Sequence, residues 1–239
     1  MRKRTFYFLT LLVVGLTLEV CGEGLAGVVV EQVVRDIEGG SSKVLLYFSD
    51  GVFRTDHPAT GLTTIMGFKE DRLMMIDHQS RSYVDVKLSQ WEKEVARQLK
   101  EEIPGVILKE RKIIVKRTGR NTVINGFRVE QIEVWAEGEL IEENWMTRDV
   151  ELTEIEKVMD RVAQGFSKDF RLEMKEGREI YEKLKPYGFP ILIKDYTTTY
   201  GLGPKDRLEV KKIERKELEK EVFLPPAGYQ RIVPKSPKK

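Results

Sequence analysis

The sequence predicts a single-domain α+β protein, and three observations carry that reading. Short apolar runs alternate with turn-forming residues at the spacing of an antiparallel meander. Three other stretches switch to apolar steps of three and four residues, the period of an amphipathic helix. No internal repeat, low-complexity tract or linker divides the 239 residues, a length that fits one large domain.

The strands come first. "VVVEQVVRDIE" is a Val-rich extended segment. "KVLLYFSDGVFRTDH" splits at Ser49-Asp50-Gly51, because Asp-Gly supplies the positive φ angles of a tight hairpin. "TTIMGFKEDRLMMIDHQSRSYVDV" breaks at Lys69–Asp71 and again at His78–Arg81. The pattern then changes. Leu88, Trp91, Val95 and Leu99 line one side of a helix, Glu92, Lys93, Arg97 and Lys100 the other, and Pro104-Gly105 ends it.

Strands resume with "RKIIVKRTG", "NTVI", "FRVEQIEVWAEG" and "ELIEENWMTRD", turning at Asn125-Gly126 and at Glu137–Glu139. Ile132 and Val134 alternate against Val129 and Trp135, so this strand is apolar on both faces and is covered on both. In the next strand Ile141 and Trp145 are expected to share a face. A second helical region carries Leu152, Ile155, Val158, Val162 and Phe166, and a third runs from about Leu172 to Leu184. "ILIKDYTTTY" and "DRLEVKKIER" read as a closing strand pair around "GLGPK".

The N-terminus has the layout of a secretory signal. Arg2, Lys3 and Arg4 precede the apolar run Phe6–Leu18, which is shorter than the ~20 residues of a membrane span. Gly24 and Ala26 flank Leu25, so cleavage is expected after Ala26. That makes residues 1–26 the signal, 27–232 the domain and 233–239 a disordered tail. Cys21 offers a second outcome, a lipidated anchor, although Glu19 and Val20 stand where lipoprotein signals carry small or neutral residues. Cleavage after Ala26 leaves a mature chain with no thiol and no disulfide.

Composition excludes some functions. Hydrophobic residues are 41% and charged residues 33%, with a net charge of +2, so no basic field calls for nucleic acid. His57 and His78 are the only histidines, and both fall in turn-like contexts without companion ligands. "GLGPK" lacks the rest of a phosphate loop, and no nucleophile elbow is present. The reading is therefore a non-enzyme with no catalytic residue, no cofactor and no metal. The positive signal is apolar material on the sheet: Leu73, Met74, Met75 and Ile76, then Trp91, Trp135 and Trp145. Methionine suits a surface that accepts variable apolar shapes, while each of these residues taken singly also fits an ordinary core.

Five segments, "YFSDGVFRTD", "LMMIDHQSRSYVDV", "NTVINGFRVEQIEVW", "ENWMTRDV" and "FLPPAGYQRI", stand in an order that resembles an uncharacterised branch of the LolA-like periplasmic lipoprotein-carrier superfamily. Where that branch often has a cysteine after the turn aromatic, this chain has Val129, and its helices around 152–184 are longer than the pattern requires. The resemblance implies a strongly curved antiparallel sheet, an incomplete β-barrel with helices over its concave face. It implies binding or carriage of a lipid or lipidated partner in the periplasm of a Gram-negative cell. The expected partners are a lipid or acyl chain and a lipoprotein or other envelope protein, with the chain itself a monomer. The expected lipid contacts are Leu73, Met75, Trp91, Val95, Leu99, Trp135, Ile141 and Trp145. The alternatives are a non-catalytic periplasmic adaptor with a filled core and, third, a hydrolytic enzyme.

Overall fold

A computed structural model describes residues 25–35, 40–102, 111–150, 153–165, 173–196 and 206–233. The expected signal up to residue 24, the Pro104-Gly105 helix end, "GLGPK" and residues 234–239 of the expected tail lie outside the described residues. Six strands open the fold: β1 (Leu25–Arg35), β2 (Ser41–Ser49), β3 (Val52–His57), β4 (Leu62–Gly67), β5 (Arg72–Asp77) and β6 (Ser82–Lys87). Helix α1 (Leu88–Glu102) follows, then β7 (Ile113–Ile124), β8 (Phe127–Ala136) and β9 (Glu139–Thr147). Helices α2 (Thr153–Gly165) and α3 (Glu173–Leu184) precede β10 (Phe189–Asp195), β11 (Asp206–Leu218) and the short β12 (Gln230–Ile232).

All described strands join one open, curved sheet in the order β12-β6-β5-β4-β3-β2-β1-β11-β10-β9-β8-β7. The hairpins arise where the sequence places them. Asn125 and Gly126 take φ of 50° and 86°, the paired positive values of a tight hairpin turn, and the chain returns with Ile124 opposite Phe127. The late strand β11 inserts between β1 and β10, so the expected β10–β11 pair also joins the two halves of the sheet. One pairing departs from the antiparallel expectation. The C-terminal β12, absent from the sequence reading, lies parallel to β6.

Both faces of the central strands are covered. In β1, Val28 and Val30 are 1% and 0% exposed, and Val29 between them is 8% exposed. Val28 and Val30 pack with Phe48, Val210 and the α2 residues Ile155 and Val158. Val29 packs on the opposite side with Ile65, Met74, Ile76 and Phe223. A strand apolar on both faces needs two covers. The first cover here is α2. The second is the C-terminal segment after β11, which includes a 3-10 turn at Lys220–Phe223. A third cluster joins Ile180 and Leu184 of α3 to Ile113, Ile132, Val134 and Met146. Each side chain fully buried this way contributes about 1.5–3 kcal/mol. Helix α1 instead touches β5 and β6, near one end of the sheet.

Candidate apolar pocket

The elements that build the site are α2, α3 and strands β9 and β10. A β-bulge skips Ile141: Leu140 pairs with Trp135, and Glu142 pairs with Val134. The alternation therefore restarts, and Glu142, Asn144 and Met146 line a pocket of about 240 Å³ together. Ile155 and Met159 reach it from α2, and Ile180 and Leu184 from α3, each pair one helical turn apart. Ile193 of β10 closes the wall. Gly188 carries the chain from α3 into β10 at φ 104°, where a Cβ would stand 2.0 Å from the Thr147 carbonyl oxygen, so this corner admits only glycine.

The polar side chains that line the pocket are Glu142, Asn144, Glu156, Tyr181 and Lys185. Asn144 donates from Nδ2 to Oε2 of Glu142 at 3.0 Å. Burial pushes the Glu142 carboxyl above its ordinary pKa. The Asn144 bond offsets part of this, and the neighbouring Asp195 and Glu176 charges add to the rise. At the α2–α3 side, Lys185 Nζ donates to both oxygens of Asp160 at 2.8 Å, and Tyr181 donates to Oδ1 at 2.8 Å. Burial alone would raise Asp160, but these bonds outweigh it and hold the carboxyl low. Burial, then the Asp160 bond, raises the Tyr181 hydroxyl. Glu176 is paired with Arg111. Among the described residues, no group of three His, Cys, Asp or Glu side chains could hold a metal ion.

Six of the eight sequence-predicted contacts have described side chains. Leu73, 1% exposed, is core, whereas Met75 on the same strand is 38% exposed. Trp91 is half-buried on α1, and the side chains of Val95 and Leu99 fall outside the described residues. Trp135 stacks under the Lys116 ammonium, 4.1 Å from the ring centre, and donates to Glu133 at 2.9 Å. The bulge separates Ile141 and Trp145 instead of giving them one face: Ile141 packs in the α3 cluster and Trp145 against the α2 cluster. None of the six whose side chains are described lines the α2–α3 pocket. The residues that do line it include Ile155 and Ile180, both visible in the sequence as helical apolar positions whose target could not be read.

A polar chain crosses the other face. Arg54 holds Asp56 through two bonds of 2.7 and 3.0 Å and also donates to the Val222 carbonyl. Thr63 donates to Asp56 at 2.6 Å and lies 2.9 Å from His78 Nε2, while His78 Nδ1 lies 3.0 Å from the Tyr229 hydroxyl. The set contains Asp, His and hydroxyl groups, yet its geometry is not that of a nucleophile. Thr63 is 2% exposed and its proton faces Asp56, so His78 acts as a strut. Arg54, Asp56, His78 and Tyr229 all come from the motif segments that carry the family resemblance.

The fold is one open, mostly antiparallel sheet with an apolar pocket between it and the helices α2 and α3. The chain belongs to the family described as "Domain of unknown function (DUF4412)", which matches residues 26–229. No curated protein matches. Among solved structures, the chain is similar to MucB, solved in complex with MucA(peri), at 10% identity and a TM-score of 0.43. That likeness covers 87% of this chain and 57% of the MucB chain, so the protein spans little more than half of that structure. It is also similar to a LolA superfamily protein from Nitrosomonas europaea, at 11% identity and a TM-score of 0.32, over 84% of this chain and 90% of that one. The superfamily named there is the one that the sequence motifs resemble. Likeness at this level carries no conclusion about ligand or partner.

Proposed function

We propose that the protein binds or carries a lipid or a lipidated partner in the periplasm, with the acyl chain seated in the pocket between α2, α3 and β9–β10. The observation that supports this most is the pocket itself. Its walls are side chains of Met146, Ile155, Met159, Ile180, Leu184 and Ile193, and its volume is about 240 Å³. In this reading α2 and α3 cover the concave face of an incomplete barrel and part to admit the chain. We place the ligand here because these side chains line one cavity, which Leu73 and Ile141 do not line. The role needs no catalytic residue. Among the described residues no helix is long and apolar enough to cross a membrane.

Native mass spectrometry of protein extracted from its own envelope tests the proposal. A co-purifying acyl lipid is expected, and Met159→Trp, which fills the pocket from the half-buried face of α2, should remove it while the protein stays folded. A lipid that survives this substitution would place the ligand elsewhere. A second reading, an adaptor that binds envelope proteins through a filled core, is favoured by the modest volume, since small-molecule pockets run to about 300–1,000 Å³. It predicts no lipid in either protein.

A further inference from the structure

The charges around the α2–α3 pocket are uneven in a way that bears on ligand choice. Two lining residues, Glu142 and Glu156, are acidic, and Asp195 and Glu176 add negative charge around Glu142. The lining cation is Lys185, and both oxygens of Asp160 hold it at 2.8 Å. Arg111, on the α3 side, is engaged by Glu176. An anionic head group entering here would meet carboxylates and would have to break the Lys185–Asp160 pair to find a counter-charge. Glu142 offers something different. Asn144 occupies its Oε2, and no bond to Oε1 is made among the described residues.

We propose that the pocket takes an acyl chain whose carbonyl is uncharged, an ester or an amide, and turns away free fatty-acid anions, with Glu142 as the discriminating residue. This rests on the lipid-binding reading above. An ester or amide carbonyl brings no charge into a pocket that Glu142 and Glu156 line, while the apolar walls hold its chain. A fatty-acid carboxylate is repelled by the Glu142 carboxylate and finds Lys185 already held by Asp160. Discrimination then comes from a repulsive element, built against one ligand, as well as from an attractive one. The volume accommodates a single chain of roughly eight methylene groups, taking each as about the ~30 Å³ that a liquid water occupies. Acyl chains attached to another molecule, as in a glyceride or an acylated peptide, satisfy both requirements.

Titration of the purified mature protein at pH 7 with three ten-carbon probes tests this: monodecanoylglycerol (neutral), decanoate (anionic) and decylamine (cationic). Wild type should bind the neutral probe about tenfold or more tighter than decanoate, the scale expected for placing a charge without a partner. Glu142→Gln, which keeps the shape and removes the charge, should close that gap by admitting decanoate. Asp160→Asn should also admit decanoate, by releasing Lys185, and it reads the same point at a separate residue if Glu142→Gln fails to fold. Equal binding of decanoate and monodecanoylglycerol by wild type, or a gap unchanged in both variants, overturns the discrimination and leaves the lipid reading standing. Decylamine binding tighter than the neutral probe overturns it in favour of an amine ligand. Failure of all three probes overturns both proposals.

Discussion

His78 and Tyr229 are 151 residues apart in the chain, and their Nδ1 and hydroxyl oxygen are 3.0 Å apart in the fold. Their rings meet edge to face with centroids 5.6 Å apart, and the Arg81 guanidinium lies over the Tyr229 ring. This contact latches the C-terminal segment across the face of the sheet opposite α2. His78 bridges Tyr229 to Thr63, Thr63 bridges to Asp56, and Asp56 is held by Arg54, which reaches back to the carbonyl of Val222 in the same segment.

The latch predicts separate effects on stability and on binding. Tyr229→Phe removes one hydrogen bond and should cost about 0.5–1.5 kcal/mol in urea unfolding, with His78→Ala costing about 1–3 kcal/mol because Thr63 also loses a partner. Neither should change lipid affinity. His57→Ala, at an exposed site, should stay within about 0.5 kcal/mol of wild type. Stoichiometric transition-metal binding that both histidine substitutions abolish would show a metal role in place of a strut.

Arg54→Ala should be the most damaging change on that face. It strands the Asp56 carboxylate in a half-buried position and frees the Val222 carbonyl, at a cost of about 3 kcal/mol. Limited proteolysis reads the consequence directly, since cleavage after β11 should accelerate. An unchanged digestion pattern would mean that Phe223 packing alone holds the segment.

Two neighbouring positions on the pocket side of α2 predict different behaviour. Ile155→Ala opens a void in the central core and should cost about 2–5 kcal/mol. Met159→Trp should instead lose ligand with a smaller change in stability. Trp91→Ala separates this site from the one expected on α1: intact affinity keeps the ligand under α2 and α3, and lost affinity at unchanged stability moves it to α1.

Glu142 sets a pH dependence whose sign follows from its raised pKa. The folded state holds this proton more tightly than the unfolded state, so the contribution to stability falls as pH climbs from the unfolded value through the folded one. Asp160, held low, contributes stability that is lost as pH falls through its folded pKa. Glu142→Gln should therefore gain on wild type between pH 5 and pH 8 in parallel urea titrations. Curves that stay a constant distance apart would show that Glu142 titrates as it does in the unfolded chain.

The structure bears on where the mature chain starts. Leu25 and Ala26 lie in β1, opposite Leu218 and Glu217, and the Ser49 hydroxyl donates to the Ala26 carbonyl at 3.0 Å. Cleavage after Ala26 would strip these contacts. Cleavage after Gly24, with Gly22 two residues before it, would keep them. N-terminal sequencing of the mature protein decides: Gly27 is the result expected from the sequence, and Leu25 would place the cut after Gly24. Gly27 would show that the sheet tolerates the shorter strand, and a diacylated Cys21 would make the protein membrane-anchored.

By itself the sequence determined the elements. Strand alternation, the Asp-Gly and Asn-Gly turns and the helical stripes are local signals, set by backbone geometry over a few residues, and they located β2–β6, α1, α2, α3 and the β7–β8 hairpin. Tertiary structure decided where those elements meet. The bulge at Ile141 turned Glu142 and Met146 into the pocket, where simple alternation would have put Ile141 and Trp145 together. The same is true of the latch: Arg54, Asp56, His78 and Tyr229 are legible as motif residues, but their meeting depends on β12 joining β6 from the far end of the chain. Stripe residues such as Ile155 and Ile180 show the sequence that a helix has an apolar side. Which surface receives that side depends on long-range pairing, and β11 between β1 and β10 supplies it.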